Sequence, residues 1–165
     1  MEKNKMYPYD ELFMLRCIEL SQESVDNGDD AFGCLIARGG TLIAEGRNNH
    51  RNNIAEHAEV VALQTARMAL NTIDLSDCTL YTSCEPCPMC SFMIREYKIK
   101  RVLFALPSPY VGGYSRWPIL QDTVISKLTP IYADPPEIIG GFMEAEAKKV
   151  MEQTRLWMFG SEIKV

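Results

Sequence analysis

Two short segments set what this chain can fold into: His57-Ala58-Glu59 and Pro86-Cys87-Pro88-Met89-Cys90. Histidine and cysteine are metal donors, and Cys87 and Cys90, three apart on one helical turn, can grip a single ion from one face. To use His57 as well, the fold must bring the starts of two separate helices to one point. Pro86 and Pro88 suit only the first turn of a helix, where a missing amide donor costs little. Both thiols therefore belong at a helix N-terminus, where the dipole favours the thiolate that binds zinc. Three donors leave one tetrahedral position open, as catalysis requires. No fourth donor is evident, because the other histidine, His50, sits in a polar loop without a partner motif and reads as solvated.

Glu59 lies two residues from His57, a spacing that turns side chains apart on a helix, so it is expected outside the ligand set. It is well placed to face a water on the open position, whose pKa zinc lowers towards neutrality. A carboxylate within hydrogen-bond reach can take that proton and pass it on. His-x-Glu followed by Pro-Cys-x-x-Cys is the pattern of zinc-dependent base deamination. There, hydroxide attacks the carbon bearing the amino group, Glu59 protonates the adjacent ring nitrogen, and a second transfer expels ammonia. Two plainer readings compete. A closed structural zinc knuckle needs four ligands and has no use for Glu59, and a redox Cys-x-x-Cys has no use for His57.

The rest of the chain frames that centre. Asp10 can cap a helix running to about Asn27, where Gly28 stops it, and Phe13, Cys17 and Leu20 form its apolar stripe. Residues 32–37 read as a strand, Gly39-Gly40 as a turn, and 41–45 as the return strand. Beyond a polar loop over 47–53, residues 56–71 are apolar on nearly all sides, which predicts a buried helix. Thr79-Leu80-Tyr81-Thr82 is a short β-type run leading into the cysteines and a helix to about Tyr97. Two more strands are expected over 101–105 and 129–133. A last helix is expected over 141–159, with Phe142, Ala145, Lys149, Glu152 and Trp157 among its positions. Strands alternating with helices after an opening hairpin imply an α/β fold, a mixed sheet covered by helices, in one domain over 1–165.

The chain has 165 residues, 47% of them hydrophobic, enough for a full core without covalent staples. It opens without a charged-then-apolar leader and holds no apolar run of bilayer length, so a cytoplasmic protein with no membrane partner is expected. Cys17, Cys34, Cys78 and Cys84 lack motif spacing and read as small buried hydrophobes, with Cys84 near enough to the motif to line its pocket. The net charge of −5 argues against nucleic acid, whose binders use basic faces. Arg95, Lys98, Lys100 and Arg101 form the one local basic cluster, read first as a solvated helix exit.

At these residues the chain resembles the cytidine deaminase superfamily, and within it the branch of guanine, cytosine and tRNA adenosine deaminases. Ala31-Phe32-Gly33-Cys34 is similar to the family's strand start, and Glu45-Gly46-Arg47-Asn48 to its strand ending in a substrate-binding asparagine. The run from Leu80 to Cys90 is especially similar to the bacterial guanine deaminase version, whereas Ile138-Ile139-Gly140-Gly141-Phe142 resembles the tail of the tRNA enzymes. The resemblance covers residues 10 to 106 well and the tail loosely.

It implies a three-layer α/β/α fold with a mixed five-stranded sheet and one zinc ion per chain on His57, Cys87 and Cys90, with Glu59 as proton shuttle. It further implies that Asn48 and the amide of Ala58 meet a small heterocyclic substrate, and that the chain forms a homodimer. Cys34 replaces the usual alanine, Glu56 stands where a small residue is common, and the loop from Asn48 to His57 is shorter than usual. Residues 107–118, rich in Gly, Pro and aromatics, depart from the tRNA-enzyme segment and read as a lid, with Tyr110, Tyr114 or Trp117 stacking on a base, or as an interface loop. These departures bear on substrate rather than chemistry. The expected activity is hydrolytic deamination of an aminopurine base, guanine first. The alternatives are a tRNA adenosine deaminase, a cytosine or nucleoside deaminase, and a non-catalytic zinc-binding module.

Overall fold

Three strands buried on both faces require helices on both sides, and the computed structural model, which describes residues 4–156 and 158–160, supplies them. In chain order the elements are α1 (Asp10–Asp26), β1 (Gly33–Arg38), β2 (Thr41–Arg47), α2 (Ala58–Leu70), β3 (Thr79–Cys84), α3 (Pro88–Glu96), β4 (Arg101–Leu106), β5 (Glu137–Gly140) and α4 (Glu144–Met151). The strands form one sheet in the order β2-β1-β3-β4-β5. β1 runs antiparallel to both β2 and β3, and β3, β4 and β5 run parallel to one another.

The period-two alternation of the strands sorts residues between two apolar layers. Leu35, Tyr81, Leu103 and Ala105 pack against Phe13, Met14 and Cys17 of α1 and Val150 and Met151 of α4. Cys34, Ile36, Leu80 and Val102 face the other way, onto Ala62, Leu63 and Ala66 of α2 and Ile94 of α3. The result is the expected three-layer α/β/α fold. Cys17, Cys34, Cys78 and Cys84 are all buried free thiols. No helix among the described residues is long and apolar enough to cross a membrane.

Several local readings are corrected. Asp10 does not cap α1; it is fully buried, and its carboxylate pairs with Arg101 of β4 at 2.8 Å and accepts the Tyr81 hydroxyl. α2 is buried on one face only, with Met68 67% exposed on the other. Residues 129–133 form no strand, since Pro130 has no amide to offer a ladder; the fifth strand is the branched run at 137–140. α4 ends at Met151, where the Thr154 hydroxyl donates to the Met151 carbonyl, and the chain turns back so that Phe159 packs on Phe32 at 5.2 Å. Trp157 of the expected helix lies outside the described residues.

The basic cluster is not a surface patch. Arg95 is fully buried, and its guanidinium donates to the carbonyls of Ile119, Asp122 and Ala133 and to the Ser126 hydroxyl. Arg101 is 7% exposed and committed to Asp10. Planar guanidinium groups can satisfy several buried acceptors at once, which is why these two arginines lie in the interior.

Candidate metal centre and active site

The two motif segments converge at the carboxyl end of β3. His57 is the residue before α2, with extended backbone (φ −67°, ψ 154°), and Cys87 occupies the same position before α3 (φ −68°, ψ 170°), with Pro88 opening the helix. Neither residue is on its helix proper. That is how His57 and Glu59, two apart, reach one point: the extended His57 side chain does not follow the helical rotation.

His57 Nδ1 lies 3.5 Å from Cys87 Sγ and 3.6 Å from Cys90 Sγ, and the two sulfurs are 3.6 Å apart. Zinc bonds of about 2.3 Å to sulfur and about 2.0 Å to nitrogen at tetrahedral angles separate ligand atoms by about 3.6–3.8 Å. The three donors therefore fit zinc, and no fourth His, Cys, Asp or Glu joins the group among the described residues.

The electrostatics favour one thiolate, on Cys87. The Cys90 hydrogen bond, then His57, pulls the Cys87 thiol down to about 4 despite its burial. The hydrogen bond to Cys87, followed by burial, raises the Cys90 thiol, and the Cys87 sulfur raises His57 against the effect of its own burial. Metal binding releases the remaining thiol proton. Glu59 is 5% exposed; burial, then the Cys87 charge, pushes its carboxyl above the usual range. Its Oε1 accepts the Thr82 hydroxyl at 3.0 Å, and its Oε2 lies 3.6 Å from Cys90 Sγ.

Beside this cluster is a cavity of about 130 Å³ lined by Phe32, His57, Glu59, Glu85, Cys87, Val111 and Phe159. Asn48 is not among those residues. It is 8% exposed, its amide nitrogen donates to Asp29 at 2.8 Å, and it borders a separate groove with Glu23, Asn27 and Glu56. Ala58 is fully buried as the first residue of α2, where its N–H has no acceptor within the helix. His50 is exposed, as expected, but its ring lies 5.9 Å from that of His57. Glu85 was given no role by sequence reasoning. The available signal was a carboxylate between buried β3 and the first metal cysteine.

A three-layer α/β/α sheet that carries a His-Cys-Cys donor set and a buried glutamate at its strand ends defines a zinc-site protein of the deaminase kind. Residues 8–106 match the cytidine and deoxycytidylate deaminase zinc-binding region, and the chain belongs to that family. It is 44% identical over 98 residues to the guanine deaminase of Bacillus subtilis (strain 168), a match covering 58% of this chain and 63% of that one. To the tRNA-specific adenosine deaminase of the same organism it is 32% identical over 106 residues, 62% of this chain and 65% of that one. Both matches span less than two thirds of the relative's length. A solved structure from work on tRNA:A34 deaminases at the wobble position shares the fold, with a TM-score of 0.72 at 24% identity over 85% of this chain and 99% of that one.

Proposed function

We propose that this protein is a hydrolytic deaminase of a free aminated nucleobase, an aminopurine such as guanine, with zinc held by His57, Cys87 and Cys90. The observation that carries the reading is the placement of Glu59. It is a buried carboxylate with a raised pKa, it lies 3.6 Å from a ligand sulfur, and it lines the same cavity as two of the three metal donors.

When bound, zinc supplies Lewis acidity that lowers the pKa of a water at the open position. Glu59 takes the proton of the attacking water and gives it to the ring nitrogen beside the aminated carbon. It then moves the second proton to the departing amino group, so that water and amine become carbonyl and ammonia. The Thr82 hydroxyl holds Oε1, so proton movement falls to Oε2 on the Cys90 side. Phe32, Val111 and Phe159 give the ring apolar walls that displace water and strengthen each polar contact within.

The size of the cavity and the chain's acidity support a free base. A cavity of about 130 Å³ suits a compact ring system, well below the 300 Å³ at which drug-sized pockets begin. The formal charge is −5, and two of the four clustered basic residues are consumed inside the fold, so phosphate attraction is weak. Relatedness to a tRNA-specific adenosine deaminase favours the second reading. Ammonia release from a panel of bases, nucleosides and an anticodon stem-loop decides between them. Activity on an aminopurine base, little changed between low and moderate salt, is expected. Inosine formation in the stem-loop, with no activity on any base, overturns the proposal.

A further inference from the structure

We propose that Glu85 fastens residues 107–118 as a fixed wall of the cavity, making Val111 the side chain of that segment that meets the heterocycle. The ligand's identity rests on the deaminase reading above; the fastening does not. Glu85 is 3% exposed and follows β3 directly. Its Oε2 accepts the Ser108 amide at 2.7 Å, and its Oε1 accepts the amides of Tyr114 at 3.0 Å and Ser115 at 2.7 Å. The Ser115 hydroxyl lies 2.9 Å from both oxygens. These are charge-assisted bonds out of water, the strong kind, and they join the two ends of the 108–115 turn to the metal motif. With its lone pairs so committed, Glu85 acts as a positioning residue and leaves proton transfer to Glu59.

The backbone of the segment provides a second, independent fastening. The Gly113 amide donates to the Pro86 carbonyl at 2.7 Å, beside Cys87. A Cβ at Gly112 would run into the Glu85 carboxylate and the Ser108 carbonyl, and one at Gly113 into the Ser91 hydroxyl. Only glycine allows so close an approach. The composition of the segment suggests a lid; its bonds make it a wall. Tyr114 is used in packing, edge-on to Phe104 at 6.0 Å, and Trp117 is 49% exposed beneath the Arg116 guanidinium. Of this segment, Val111 lines the cavity, together with Phe32 and Phe159.

Amide hydrogen exchange on the full-length, zinc-loaded protein tests the fastening. Peptides covering 107–118 should be well protected. In Glu85→Gln they should exchange at least about tenfold faster, the loss expected from one charged acceptor, with zinc content and protection elsewhere unchanged. Gly112→Ala leaves Glu85 intact and should loosen the same peptides. Both variants, and Val111→Ala, should raise KM for the aminated base several-fold with kcat little changed, because they remove positioning rather than chemistry. Fast exchange of 107–118 in the unaltered protein, or unchanged exchange in both loop variants, overturns the fastening. An unchanged KM in Val111→Ala overturns the role of that side chain. If no base is turned over yet exchange responds as expected, the fastening stands and the deaminase reading fails, taking Val111's role with it.

Discussion

Replacing Glu59 by glutamine removes one ionisable oxygen and little else. The side chain is 5% exposed, with Oε1 held by Thr82 at 3.0 Å. A glutamine carbonyl can still accept that hydrogen bond, so the buried hydroxyl of Thr82 keeps its partner. Burial already disfavours the charged form of Glu59, so the fold gains nothing from the charge it loses. The unfolding midpoint of Glu59→Gln should therefore match or exceed that of the unaltered protein. Turnover should fall at least about a hundredfold, the lower range for general acid–base catalysis, which corresponds to about 2.7 kcal/mol of transition-state stabilisation. The assay is steady-state ammonia release, with zinc measured by elemental analysis on the same sample. Near-normal turnover would mean that another group moves the protons. Loss of zinc together with turnover would make Glu59 a ligand instead, and would refute the reasoning from its placement.

His57→Ala or Cys87→Ala should lose the one zinc expected per chain, since two donors hold it poorly; full retention in both, by elemental analysis, would remove the site assignment. Arg95→Lys should lower stability by about 1–3 kcal/mol in urea titration, because a single ammonium cannot reach the carbonyls of Ile119, Asp122 and Ala133 together. Burial opposes ionisation of Asp10, yet Arg101, the Tyr7 amide and the Tyr81 hydroxyl hold its carboxyl below the usual 3.8. Its stabilisation is complete above that value and is lost as pH falls through the lower folded value. Urea midpoints should thus drop steeply below about pH 4 in the unaltered protein, and less steeply in Asp10→Asn.

Much of the centre was legible because its chemistry is local. Pro86 and Pro88 suit the first turn of a helix, the Cys87–Cys90 spacing puts two thiols at that helix start, and His57 with Glu59 has little other use on an apolar helix. The order of strands and helices after an opening hairpin likewise implied a sheet covered by helices, and Leu35, Tyr81 and Leu103 lie in one of its two apolar layers. What the sequence left undecided was the partner of each long polar side chain. Arg95 and Arg101 read as solvated because cations at a helix exit are ordinarily favoured there by the helix dipole. Their acceptors, the carbonyls of 119–133 and the carboxylate of Asp10, arrive only through tertiary packing. The β5 segment was missed because a four-residue strand carries too short a pattern, and its pairing with β4 decides it. Asn48 and Glu85 show the same limit in the site itself. The family resemblance, not the spacing, implied Asn48 at the substrate, and nothing in the chain foretold that its amide nitrogen would donate to Asp29; Glu85 received no role, and its carboxylate accepts the amides of Ser108 and Ser115. Donor type and spacing are properties of the chain, whereas which acceptor a buried donor meets is decided by the fold, because burial leaves it no water to use instead.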